Sequence, residues 1–286
     1  MTATTVTHTA NVLDGADQLE HKNTCRLCGG SITALFSKTV LGKYAVTYFR
    51  CSGCLSLLTE RPYWLDEAYR ESNLSNADTG AAQRNLRNLA ATYGISKLLK
   101  AKNVIDIGGG DGLLCRLLRD YQINCYLQDK YATPTYAQGF TEHNFSSPDL
   151  VLGFEVLEHY PNPTADLDNL FSYNPRALLL STCIYSDQNK DWWYLAPESG
   201  QHVFFYSNTA MAMIANKYRY ELVTCSDFIL FVKNPSLLTK LGAKILLRKS
   251  VVRLFKAIIA LLPTPGISID HAFQTQKSKK VSLSLE

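Results

Sequence analysis

The segment Val104-Ile105-Asp106-Ile107-Gly108-Gly109-Gly110-Asp111-Gly112 constrains the fold more than any other stretch of the chain. A short apolar run carries an acid and then opens into closely spaced glycines. That is the pattern of a β-strand that turns sharply into a helix. Glycine adopts backbone angles closed to other residues and lets a ligand approach the main chain without a Cβ in the way. Such a turn forms a ligand crevice at the carboxyl end of a parallel sheet. Glycine richness alone does not identify the ligand, because nicotinamide enzymes and other folds use it too.

The flanking sequence supports this placement. Apolar residues recur at helical spacing through Leu86, Leu89, Ala90, Tyr93 and Leu98. Residues 113–121 and 207–217 read as helices, and 103–107 and 124–128 as strands. Residues 148–154 and 177–184 are continuous apolar runs, as expected of strands covered on both faces. Residues 220–226 and 228–233 read as two strands joined at Asp227. Strands alternating with helices, closed by a hairpin, predict an α/β, doubly wound sheet with a terminal antiparallel hairpin.

The formal net charge is +4, yet residues 235–286 hold nine Lys/Arg against two Asp/Glu, so the remainder is net negative. An acidic body speaks against a surface built to track nucleic acid. Residues 1–13 show neither a basic nor an apolar signal region. No run reaches the roughly 18–20 apolar residues needed to span a bilayer. A cytoplasmic, reducing location is therefore expected. There, paired cysteines read as metal ligands before disulfides.

Cys25-Arg-Leu-Cys28 and Cys51-Ser-Gly-Cys54 are two CxxC knuckles. Four thiolates at this spacing close a tetrahedral zinc site with no open position, hence a structural one. So small a module gains its folding energy from the metal. Cys115, Cys125, Cys183 and Cys225 fall within helix or strand patterns and read as small core residues.

Asp106 before the glycines and Asp129 after the next strand narrow the ligand. Together they resemble the class I S-adenosylmethionine (SAM) methyltransferases, whose motif is acid-x-Gly-x-Gly-x-Gly. The resemblance extends to the run from Asp149 to His159, which contains Glu155-Val-Leu-Glu158-His159, and to Glu198-Ser-Gly-Gln-His202. The latter resembles an active-site loop of bacterial methyltransferases with an N-terminal zinc domain, some of which act on sugar nucleotides. The likeness covers roughly residues 25–234. It implies a Rossmann-like, seven-stranded sheet with a small zinc-ribbon-like module. It also implies SAM held by Asp106, Gly108, Gly109, Gly110, Asp129, Phe154 and Glu155, with Asp129 on the ribose. One departure stands out: residues 131–148 are too few for a full helix and strand, and the usual acid facing adenine is not evident there, so a residue within Phe140 to Phe145 is expected to take that place.

The implied partition is a leader over 1–22, a zinc module over 23–60 and a connector over 61–80 with a short helix near Trp64. A catalytic domain over 81–234 and a basic amphipathic extension over 235–286, fraying from 274, follow. Among the candidate catalytic residues His202, Glu198, His159 and Tyr194, His202 is preferred as the base because imidazole titrates near neutrality and Gly200 makes its loop flexible. Glu198 orients it or substitutes for it. Two readings of the acids stay open: residues lining the cleft, or a Mg²⁺ site of Glu155, Glu158, His159 and His202. The acceptor is expected to be a small molecule or sugar nucleotide. The alternatives are an RNA methyltransferase using its zinc module on RNA, and a non-catalytic protein that kept the fold. The extension either packs on the catalytic domain or touches an anionic membrane, and packing is favoured.

Overall fold

The computed structural model describes residues 24–70 and 78–283. The leader expected over 1–22 lies outside them, as do residues 71–77 of the connector. Two sheets organise the chain. Strands β1 (Ile32–Val40), β2 (Tyr44–Cys51) and β3 (Leu57–Thr59) form an antiparallel meander. A short helix α1 (Leu65–Arg70) follows, where Trp64 sits buried at its start.

Helix α2 (Ala81–Leu99) leads into β4 (Asn103–Ile107), α3 (Leu113–Asp120), β5 (Asn124–Gln128) and β6 (Leu150–Phe154). Then come α4 (Pro163–Ser172), β7 (Ala177–Ser181), the two-residue strand β8 (Phe204–Phe205) and α5 (Asn208–Tyr218). A hairpin of β9 (Glu221–Cys225) and β10 (Phe228–Val232) closes the sheet. Its order is β5-β4-β6-β7-β10-β9, with β10 antiparallel to both neighbours. Strands β6, β7 and β10 are buried along nearly their whole length, as their continuous apolar sequence requires.

This sheet has six strands among the described residues, one fewer than expected. Residues 131–148 form no strand and instead fold back over the edge of β5. The Leu127 N–H donates to Phe140 O at 2.9 Å, and the Thr135 and Tyr136 N–H groups donate to Asp111 O. The segment is too short to turn, run as a helix and return as a strand.

The module is not self-contained. Strand β8, from beyond β7, pairs with β3 and becomes the fourth strand of the first sheet. Arg26 donates to Val203 O at 2.9 Å, and Thr164 Oγ1 donates to Arg26 O at 2.8 Å. Cys25, Cys51 and Cys54 share one apolar cluster with Val151, Leu157, Leu180 and Phe204.

The extension departs from the fraying expected at its end. Helices α6 (Leu237–Leu246) and α7 (Lys249–Ile259) bury Ala243, Leu247, Val252 and Ile259 in the core beside α2. Packing is the arrangement seen. Helix α8 (Gly266–Leu283) continues well past residue 274. It is fastened by Asp270, which accepts from Arg116 at 2.7 Å and from Arg119 at 2.7 and 2.8 Å. No described helix is long and apolar enough to cross a membrane. Cys115 and Cys125 are fully buried as expected, whereas Cys183 and Cys225 are half-buried.

Candidate active site

The glycine turn leaves β4 at the carboxyl end of the parallel strands. Asp106 is 2% exposed, and its Oδ2 has no hydrogen-bond partner. Burial, then the nearby Asp129 charge, pushes its carboxyl up to about 7. Gly109 and Gly112, in the turn that follows, have no room for a side chain. A Cβ on Gly109 would lie 2.4 Å from Asp106 Oδ2, and one on Gly112 would lie 2.6 Å from Ala137 Cβ. Gly110, at φ +60°, differs: nothing lies within 4 Å of its Cβ direction. Its face is therefore open for a ligand.

Asp129 follows β5 and is tied to the same turn. Its Oδ2 accepts from the Gly110 N–H at 2.9 Å, and its Oδ1 from the Tyr131 and Ala132 N–H groups at 2.8 Å. A carboxylate offers about four acceptor positions, so one remains for a ligand hydroxyl. Beside it opens a recess of about 520 Å³, between Ile107, Gln128 and Asp129 on one side and Tyr160, Asp166 and Tyr173 on the other. That volume suits a nucleoside-sized group. An unpartnered buried acid, a side-chain-free turn and a spare acceptor together fit SAM, whose bound form would supply an electrophilic methyl group.

One strand further along, a second polar cluster gathers at the end of β6. Glu155 holds φ +55°, an angle unfavourable for a side-chain-bearing residue. It is fixed there by Ser181. The Glu155 N–H donates to Ser181 O at 3.0 Å, and Ser181 Oγ donates to Glu155 Oε1 at 2.6 Å. The Tyr194 hydroxyl lies 2.6 Å from Glu158 Oε1 and 3.0 Å from Glu155 Oε2. Glu158 is fully buried with Oε2 unpartnered. Burial, then the Glu155 charge, pushes it up to about 8.

His159 and His202 stand perpendicular, ring centroids 4.9 Å apart. Burial, then His202, lowers His159 to about 3, and burial also lowers His202. His202 Nδ1–H donates to Tyr194 O at 2.7 Å, which leaves Nε2 with a free lone pair. The His202 loop is held fast, contrary to the flexibility expected from Gly200. Trp64 Nε1–H donates to Gly200 O at 2.8 Å and Gln201 Nε2–H to Ala68 O at 2.9 Å.

The structure thus brings Phe154, Glu155, His159, Tyr194 and His202 to the carboxyl end of the sheet beside β6. It does not bring Glu198 there. That side chain is exposed, and its charge is felt at Tyr48. Ser181 joins the site without having been named for it, and the hydroxyl of Tyr69, an aromatic expected to line the cleft, lies 3.3 Å from His159 Nδ1. A polar residue ending the apolar run of β7 was the available signal for Ser181.

The four module cysteines lie within 4.8 Å of one another. Cys25 and Cys54 sulfurs are 3.6 Å apart, and those of Cys28 and Cys51 3.4 Å. Tetrahedral zinc at a Zn–S distance of about 2.3 Å needs sulfurs roughly 3.8 Å apart, so the donor set suits zinc. The Gly53 and Cys54 N–H groups donate to Cys51 Sγ at 3.3 and 3.4 Å and would stabilise its thiolate.

A mostly parallel sheet with a glycine turn after its first strand defines a Rossmann-like fold, and the family it belongs to is that of the methyltransferases. A family model described as a methyltransferase domain matches residues 77–225, and the chain belongs to that family. No curated protein matches the chain. Among solved structures, it is similar to magnesium protoporphyrin IX methyltransferase from Synechocystis PCC 6803 with bound SAH, at 16% identity and TM-score 0.44, over 61% of this chain and 98% of that one. It is also similar to 1,6-didemethyltoxoflavin-N1-methyltransferase from Burkholderia thailandensis, at 12% identity and TM-score 0.45, over 65% and 93%. A third is the methyltransferase domain of bacterial CtHen1, at 18% identity and TM-score 0.38, over 53% and 99%. The protein is a SAM-dependent methyltransferase.

Proposed function

We propose that the protein transfers the SAM methyl group to a small-molecule or sugar-nucleotide acceptor, with His202 as general base. The observation carrying this reading is the Nδ1–H bond from His202 to Tyr194 O, which leaves Nε2 free to accept a proton. Burial keeps the ring neutral and able to do so at pH 7. Asp106, Gly108–Gly110 and Asp129 would hold the cofactor, and Phe154 and Glu155 would border it. Tyr194 would position Glu155 and Glu158. The chain would divide into a zinc module (23–60), a connector (61–80), a catalytic domain (81–234) and an extension (235–286), with β8 shared between module and catalytic domain.

The small-molecule reading gains support from the module's basic residues, all of them engaged. Arg26 is spent on backbone carbonyls, Lys43 pairs with Glu67, Arg50 with Asp187, and Lys38 donates to Lys190 O. They form no concentrated unpaired patch of the kind that would favour RNA phosphates.

The test uses labelled SAM against a panel of sugar nucleotides and small phenols. His202→Gln should lower kcat by about 10²-fold or more and leave SAM affinity unchanged. An undiminished kcat in that variant removes His202 from the role.

A second reading has its own observation. Donor atoms of Glu158, His159 and His202 lie within 4.8 Å of one another, so these side chains could hold a divalent cation. Mn²⁺ titration followed by electron paramagnetic resonance checks it. A bound-ion signal present in the wild type and lost in Glu158→Gln would favour this reading.

For the extension we propose peripheral contact with an anionic lipid surface. Helix α6 presents Leu237, Leu238 and Leu241 outward at 80%, 79% and 54% exposure. Lys240 and Lys244 flank them, and residues 235–262 contain no acid. Exposed aliphatic groups beside cations suit such a surface. Sedimentation with phosphatidylglycerol vesicles tests it, and equal binding by a Leu238→Ser, Leu241→Ser variant would sink it.

A further inference from the structure

A recess of about 320 Å³ lies where the β9–β10 turn meets α2 and α7. Its wall carries Arg87, Lys249, Arg253 and Lys256 against a single acid, Asp227. That acid is shared: Arg87 Nη1 lies 3.2 Å from its Oδ2 and Lys249 Nζ 3.4 Å from its Oδ1. Lys256 donates to the neutral Gln83 Oε1 at 2.9 Å. Arg253 has no ion pair among the described residues and is exposed.

The crowding follows from helix periodicity. Lys249, Arg253 and Lys256 are spaced i, i+4, i+7 along α7, so they share one face. Like charges at such spacing repel one another. Placed beside Arg87, they leave an excess of positive charge that an anion would relieve. Arginine contributes a planar two-point grip on phosphate, and lysine a compact charge.

The recess also lies at the reacting end of the sheet. Phe228, on its wall, stands opposite Ser181 in the ladder, and Ser181 Oγ holds Glu155. The Phe228 ring meets the Phe154 ring at 6.1 Å between centroids, and the Arg87 guanidinium lies 5.2 Å from Phe228. The glycine turn and Asp129 occupy the β4–β5 side, whereas the recess occupies the β7–β10 side. The Glu155 cluster stands between them. A group bound in the recess would therefore belong to the methyl acceptor and not to the cofactor.

We propose that Arg87, Lys249, Arg253 and Lys256 bind a phosphate or diphosphate group of the acceptor, which makes the substrate a phosphorylated small molecule. This rests on the methyl-transfer reading of the neighbouring cleft. It also gives the basic extension a task in recognition, since α7 supplies three of the four cations.

The probe is inorganic pyrophosphate, titrated calorimetrically into the full chain at fixed ionic strength. The expected result is saturable binding at one site, weakened at least tenfold by Arg253→Glu, which changes an exposed side chain. Asp129→Ala should weaken SAM and leave pyrophosphate untouched. Absence of saturable binding, or equal affinity in Arg253→Glu, overturns the proposal. So does a variant that loses only anionic-vesicle binding, because the cations would then read a bilayer. Retained pyrophosphate binding with no SAM binding would instead count against the methyl-transfer reading, so the two failures are distinguishable.

Discussion

The Tyr194 hydroxyl lies 2.6 Å from Glu158 Oε1, on a buried carboxyl whose Oε2 has no hydrogen-bond partner. The same hydroxyl reaches Glu155 Oε2 at 3.0 Å, so it bridges the two acids. Removing it in Tyr194→Phe leaves a buried polar group unsatisfied, at a cost of about 1–3 kcal/mol. Urea unfolding should show that loss together with reduced methyl transfer. Unchanged stability would mean that the hydroxyl does not hold the acids.

Asp106 links stability to pH. Its folded carboxyl sits at about 7 against an ordinary value of 3.8, so the native protein keeps a proton that the unfolded chain has given up. The stabilisation is complete below about pH 4 and is lost as pH rises through 7, at up to roughly 1.4 kcal/mol per pH unit. Asp106→Asn should flatten that fall in melts of the ligand-free protein. An identical pH slope in the variant would contradict the assignment.

Zinc removal should reach the active site. Strand β8 pairs with β3, and it follows His202 by two residues. Cys51→Ser, or titration with a mercurial, should release about one zinc per chain, lower the melting temperature and abolish turnover together. Turnover that survives complete zinc release would show that β8 holds its place without the metal.

Removing residues 235–286 should cost the fold dearly. Leu247, Val252 and Ile259 are nearly fully buried, and each such side chain is worth about 1.5–3 kcal/mol. A chain ending at Asn234 is expected to unfold at markedly lower denaturant or to aggregate. If it melts like the full chain, the helices contribute little beyond their outer faces.

Much of this architecture is legible in the sequence because it is local. The glycine turn, the two CxxC knuckles and the closing hairpin each announce themselves within a dozen residues, and Asp106 and Asp129 follow from their places at strand ends. What escapes is non-local. Nothing around Phe204 and Phe205 says that they will pair with Leu57 and Leu58. Glu198 shares a loop with His202, yet the loop is fastened by the Trp64 indole donating to Gly200 O and the Gln201 amide donating to Ala68 O, partners far away in sequence. The helical end of the chain depends on Asp270 meeting Arg119, a partner 151 residues away.

Ser56 and Ser207, joined beside the β3–β8 pairing, are likewise 151 residues apart. As the chain leaves the ribosome, β1, β2 and β3 emerge long before the strand that completes their sheet. The cysteine knuckles can capture a metal early, but the edge of β3 stays unpaired until most of the catalytic domain has been made. Exposed strand edges invite wrong partners. Metal capture would then act as a holding step, keeping the N-terminal meander in register while its last strand is synthesised.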